Sequence, residues 1–183
     1  QLAYVGCASR YWERTYGPDS KTIVLVTDRM PVCEARNRLA QAAIQQEADW
    51  IMWLDDDMEP QPDVVQQLIR HDAPMASANC SKRKLPPEVM TYIWEGKGFH
   101  TAIANPWPEV FQADAVGMAC VLMKREVLEA VWAKTNGRPF QYADGRYGTE
   151  DMYFFECAKD LGYRVTVDTT IKVGHIGTHS FNP

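Results

Sequence analysis

Residues 50–58 read Trp50-Ile51-Met52-Trp53-Leu54-Asp55-Asp56-Asp57-Met58, five apolar side chains running straight into three carboxylates. An apolar run of that length with no alternation predicts a strand buried on both faces, typical of the centre of an α/β sheet. Three adjacent carboxylates at its end repel one another and are expensive to bury without partners. Positive charge is therefore expected beside them.

Working outward from this stretch, Leu2–Ala8 and Thr22–Val26 are short β-branched runs read as strands, separated by the polar, Gly/Pro-bearing loop 13–20. After Pro31, Ala35, Leu39, Ala42 and Ala43 recur at helical spacing and predict a helix that closes at Ala48 and Asp49. Downstream, Pro60 and Pro62 introduce a helix over 63–71, and 74–80 reads as a strand. Residues 82–87 form a basic, Pro-ended loop. Strands are expected at 89–94, 110–115 and 117–123, and helices at 125–134 and 150–161, the latter stopped by Gly162. Residues 135–148 read as a loop, 163–169 as a strand, and the tail as irregular. Alternating strands and helices in the first half predict a mostly parallel sheet flanked by helices, with ligands at the carboxyl ends of its strands. Asp55, Asp56 and Asp57 fall at such an end.

Composition narrows the function classes. The chain has 183 residues, enough for one domain with a sizeable core, and its 46% hydrophobic and 23% charged residues are ordinary for a soluble globular protein. A net charge of −5 argues against nucleic-acid binding through a strong overall positive field. The five cysteines are widely spaced with no CxxC pair, so they are read as reduced thiols in a cytoplasmic protein. No apolar run approaches the ~20 residues of a membrane span. The chain opens at Gln1 without a Met, as a trimmed chain would.

For the acidic triplet, a divalent cation site competes with a solvated loop in which Asp57 or Glu59 helps cap the next helix. Mg²⁺ and Mn²⁺ take carboxylate oxygens, keep waters and bridge to substrate phosphates. In an extended chain Asp55 and Asp57 share a side while Asp56 faces the other way.

The WLDDDM stretch resembles the DxD motif of GT-A-fold, family 2-like glycosyltransferases, which holds the metal on the diphosphate of a nucleotide sugar. Three further segments agree with it, in the order the family has them. Glu34-Ala35-Arg36-Asn37-Arg38-Leu39 is similar to the ARN segment of that family. Residues 114–123 are similar to the segment that lines the acceptor side, and Glu150-Asp151 to the ED motif. His175 stands where some of these enzymes place another metal ligand.

This resemblance implies an α/β, Rossmann-like GT-A fold over 1–183, with a nucleotide-sugar-binding half at 1–80 and an acceptor-side half with a C-terminal loop at 81–183. It implies transfer of a sugar from a UDP- or GDP-sugar to the hydroxyl of a carbohydrate or other acceptor, assisted by Mn²⁺ or Mg²⁺. Asp57 and His175 would be direct metal ligands and Asp55 a ligand directly or through water. Asp56 would bond ribose or sugar, and Arg36 and Asn37 would lie near the nucleotide. Lys82, with Arg83, would meet the donor, and His179 would contact phosphate. Asp151 would be the base of an inverting reaction, with Glu150 positioning it or the acceptor. Trp94, Trp107 and Tyr142 are candidates for stacking on sugar rings. The opening LAYVGCASRYW departs from the family's first strand. A nucleotidyltransferase and a non-catalytic nucleotide-sugar or carbohydrate-binding module remain as alternatives.

Overall fold

The computed structural model describes residues 2–4, 22–27, 30–84, 86–104, 106–142 and 148–177. In chain order these form β1 (Leu2–Tyr4), β2 (Thr22–Val24), α1 (Val32–Gln45), β3 (Trp50–Leu54), β4 (Met58–Pro60), α2 (Val64–Ile69), β5 (Met75–Ala78), β6 (Thr91–Glu95), β7 (Gly98–Thr101), β8 (Val110–Ala113), β9 (Ala115–Val116), β10 (Cys120–Lys124), α3 (Arg125–Lys134), α4 (Glu150–Asp160), β11 (Val165–Asp168) and β12 (Val173–His175).

Seven strands make the main sheet, in the order β2-β1-β3-β10-β5-β11-β8. Its central strands alternate between two cores, as the pleat requires. Ile51, Trp53, Val121, Met123 and Met75 enter one core with Leu39 and Ala43 of α1, Val127, Leu128 and Val131 of α3, and Phe154 and Phe155 of α4. Met52, Leu122, Cys120, Ala76 and Ala78 enter the other with Val64, Val65 and Leu68 of α2. The doubly apolar reading of 50–54 thus describes a strand deep in the sheet.

The mostly parallel, Rossmann-like sheet flanked by helices that the sequence predicts is not what forms. The main sheet is mixed: β1–β2, β1–β3 and β5–β11 are parallel, whereas β3–β10, β5–β10 and β8–β11 are antiparallel. The two small sheets, β4–β12 and β7-β6-β9, are antiparallel throughout, and the described residues hold four helices. Apolarity on both faces reports that a strand is central but carries no information on its direction. Strand β10, from the second half of the chain, enters antiparallel between β3 and β5, where a parallel neighbour was expected.

Two short pairings complete the site. The turn after β3 leads into β4, and β12 pairs with it so that His175 faces Met58. The tail read as irregular is therefore a strand up to His175. The β6–β7 hairpin closes on Gly96-Lys97, with Gly96 at φ +61° supplying the positive dihedral that a two-residue loop needs. No helix among the described residues is long and apolar enough to cross a membrane.

Candidate functional site

The acidic turn lies at the end of β3, beside the start of β10 and the end of β5. Its backbone is anchored on three sides. The Asp55 amide donates to the Ala119 carbonyl at 3.1 Å, the Met58 amide donates to the Asp55 carbonyl at 3.2 Å, and the Ile176 amide donates to the Asp57 carbonyl at 2.7 Å.

Positive charge meets two of the three carboxylates. Arg36, on the inner face of α1 and 7% exposed, donates from Nη2 to both oxygens of Asp55 at 3.0 and 3.2 Å. Its Nη1 donates to Oε1 of Glu150, the first residue of α4. One guanidinium thus joins the acidic turn to the segment read as the ED motif. Burial works against the charge of Arg36, but Asp55 and Glu150 outweigh it and raise its pKa. Burial also pushes the Glu150 carboxyl above its ordinary value. Arg36 opposes that shift, and the charges of Asp151 and Asp55 add to it.

Asp57 faces Arg83, whose Nη2 lies 3.3 Å from Oδ2, and His175, whose Nε2 lies 3.3 Å from the same oxygen. The Nδ1 of His175 is 2.7 Å from the Ser81 carbonyl, an acceptor only, so Nδ1 carries a proton and donates. Nε2 is then the ring nitrogen that faces Asp57. Asp56 is exposed and has no side-chain partner among the described residues.

The donor set bears on what cation would fit. Among the described residues, no group of three or more His, Cys, Asp and Glu is arranged to hold a metal ion. Asp55 is committed to Arg36, which leaves Asp57 and His175 as a pair. Two protein ligands suit a hard cation that fills its shell with waters and phosphate oxygens, and do not form a closed cage.

Asp151 sits half-buried at the second position of α4. Its Oδ1 accepts from the Thr149 hydroxyl and from the Met152 amide at 2.9 Å, and its Oδ2 accepts a long 3.4 Å contact from the Met118 amide. Thr149 stands at the N-cap but makes no side-chain cap bond, because its hydroxyl turns to Asp151. Met118 belongs to the small-residue segment before β10. That segment therefore touches the acidic turn through Ala119 and Asp151 through Met118.

Other expected residues have different partners. The Asn37 side chain clasps the backbone of Phe140, accepting from its amide at 3.0 Å and donating to its carbonyl at 2.8 Å. Lys82 donates to Glu88, which raises its pKa, and Glu88, held also by Lys84, falls to about 2. The ring of Trp94 is covered by the Lys159 ammonium at 4.4 Å and edged by Phe99, and Trp107 leans on Phe111. Tyr142 is exposed. His179 lies outside the described residues. Sequence reading missed the Ser81 carbonyl and Phe140, which act through backbone atoms and leave no side-chain signature.

The family model Anp1 matches residues 22–96. That span holds α1 and the acidic turn but neither Asp151 nor His175. No curated protein matches the chain in sequence. Among solved structures, the chain is similar to A197 from STIV, at 18% identity and a TM-score of 0.61, covering 96% of this chain and 85% of that one. At that identity the likeness concerns the fold alone. These findings correct the expected kinship: the similarity found is to Anp1 and not to a family 2-like, GT-A glycosyltransferase. At the coarser level, the Anp1 match points to a glycosyltransferase-like function.

Proposed function

We propose that this protein transfers a sugar from a nucleoside-diphosphate sugar to an acceptor hydroxyl. The observation that carries the reading is the bridge made by Arg36, whose contacts with Asp55 and Glu150 bring the acidic turn and the start of α4 into one site. A carboxylate–histidine pair at one end and a half-buried carboxylate at the other suit a reaction in which a diphosphate leaves and a hydroxyl attacks.

In this reading Asp57 and His175 would hold Mn²⁺ or Mg²⁺ at the donor diphosphate. The bound cation would act as a Lewis acid that stabilises charge developing on the leaving phosphate. Asp151 takes the proton from the acceptor hydroxyl, consistent with inversion, and among the described residues its Oδ2 has only the long Met118 contact to exchange for that hydroxyl. Arg83, exposed and adjacent to Asp57, can move to a phosphate oxygen when the donor arrives.

The test is calorimetric titration of the whole chain with a panel of UDP- and GDP-sugars, in Mn²⁺, Mg²⁺ or chelator, followed by product analysis. The expected result is cation-dependent binding of one nucleotide sugar, lost in Asp57→Ala, with release of the nucleoside diphosphate. Equal affinity in chelator would remove the cation. Release of a sugar 1-phosphate, with the nucleoside monophosphate moiety passed to the acceptor, would replace sugar transfer with nucleotidyl chemistry.

A further inference from the structure

Cys80 and Cys120 share one corner of the second core, 3% and 0% exposed, with Ala78 and Ala119 beside them. They come from distant parts of the chain. Cys120 opens β10, and Cys80 follows the end of β5, the strand paired with it. Register brings the two together. Val121 pairs with Ser77, so Cys120 stands opposite Ala78, and Cys80 lies two residues further along and enters the same core. The Cys80 amide donates to the Ala78 carbonyl at 3.1 Å, a three-residue turn that folds the chain back over the start of β10. There the Cys80 thiol is hydrogen-bonded to Cys120, and both are free thiols. Cys33 donates instead to the Phe140 carbonyl at 2.9 Å, and Cys157 lies beside Tyr153, so neither belongs to this pair. The immediate chain neighbours of the pair hold the candidate site. The Ala119 carbonyl accepts from the Asp55 amide at 3.1 Å, and the Ser81 carbonyl accepts from Nδ1 of His175 at 2.7 Å.

We propose that Cys80 and Cys120 form a dithiol–disulfide site, oxidised by a small-molecule disulfide such as glutathione disulfide, whose bond ties the end of β5 to the start of β10 and links the backbone anchors of Asp55 and His175. The thiolate of Cys80, the less enclosed of the two, attacks one sulfur of glutathione disulfide and expels one glutathione thiolate. The Cys120 thiolate then attacks the Cys80 sulfur, breaks the mixed disulfide and releases the second glutathione. Each protein sulfur loses one electron, glutathione disulfide gains both, and the two thiol protons pass to the leaving thiolates. In the folded chain the bond to Cys120, burial and the charge of Asp55 raise the Cys80 thiol well above its ordinary value. Exchange is therefore slow there and runs through opening of the turn at 78–80 or during folding. The step involves no nucleotide sugar, so its outcome is separate from that of the transfer reading.

The test is refolding of the whole chain from urea into buffers of fixed glutathione to glutathione disulfide ratio. At equilibrium the samples are quenched with acid, alkylated with a maleimide and mapped by mass spectrometry, and the same ratios are run in urea. The folded chain is expected to be two hydrogens lighter, with Cys80 and Cys120 joined. The equilibrium constant for this bond should exceed that in urea by about thirtyfold or more, because a bond that the fold favours in turn stabilises the fold. The urea midpoint of the oxidised chain should lie above that of the reduced chain and return with dithiothreitol. Cys120→Ala should show neither the bond nor a midpoint that depends on the thiol reagent. A folded chain without this bond at every ratio, a bond formed equally in urea, or pairing with a different cysteine overturns the proposal. So does a midpoint unmoved by reduction. The comparison between buffer and urea uses wild type alone, so it decides even if Cys120→Ala does not fold.

Discussion

At the scale of single residues, the site separates groups that hold from groups that are left available. Arg36 is enclosed by its partners, whereas Asp151 keeps one oxygen with only a 3.4 Å contact among the described residues. Replacing Asp151 with Asn keeps the shape and removes the basicity. Steady-state kinetics on the donor identified by titration should show kcat reduced by about 10²–10⁴ with donor affinity within about threefold. A variant retaining full kcat would remove Asp151 from proton transfer. Asp168 supplies a second residue-scale prediction, on stability. Burial alone would raise its pKa, but the Thr170 hydroxyl at 2.6 Å, the Thr170 amide at 2.8 Å and His71 at 2.9 Å outweigh it and hold the carboxyl below its ordinary value. A depressed carboxyl contributes stability that is complete above its unfolded value near ~3.9 and lost as pH falls through the folded value. Urea unfolding between pH 7 and pH 3 should therefore show wild type losing its advantage over Asp168→Asn only below about pH 4. A gap between the two proteins that does not change with pH would rule out this linkage.

At the scale of elements, the helices were legible because their evidence is periodic. The predicted helix over 125–134 coincides with α3, and Gly162, at φ +88°, follows the end of α4 as a left-handed stop. Less legible was what α1 does with its polar face. Arg36 and Asn37 are expected as ligand contacts only through the resemblance of residues 34–39 to the ARN segment. Their partners are Asp55 and Glu150 for one and the Phe140 backbone for the other. Nothing local in the sequence points to Phe140, since its contribution is an amide and a carbonyl from a distant loop. Asn37 thus pins the loop after α3 onto α1, where the Phe140 ring stacks on Phe154 and meets the edge of Trp53. Asn37→Ala would leave a buried amide and carbonyl without partners, at a cost of about 2–3 kcal/mol. The urea midpoint should fall accordingly with an unchanged m-value. A change below about 0.5 kcal/mol would show that water or a backbone shift replaces the clasp.

At the scale of the whole molecule, the site depends on a strand order that no local pattern encodes. Strand β10 lies between β3 and β5, so the strand carrying the acidic turn is paired on one side by chain from the second half. His175 reaches Asp57 only because β12 returns to pair with β4, and Asp151 arrives with a helix that packs on α3 and on the same core. The Anp1 match ends at residue 96, before β10, β11, β12 and α4. A fragment of residues 1–104 would keep that matched span and the three aspartates. It would also leave β3 and β5 with open edges, and Ile51, Trp53 and Met52 without Val121, Met123 and Leu122 from the strand beside them. Unpaired central edges and uncovered apolar faces favour aggregation over folding. The fragment should therefore lack dispersed amide resonances in a ¹⁵N–¹H spectrum, while the whole chain unfolds in one transition by two independent probes. A folded fragment that binds a nucleotide sugar would show that the acidic turn works without the second half, and would detach Asp151 and His175 from the site.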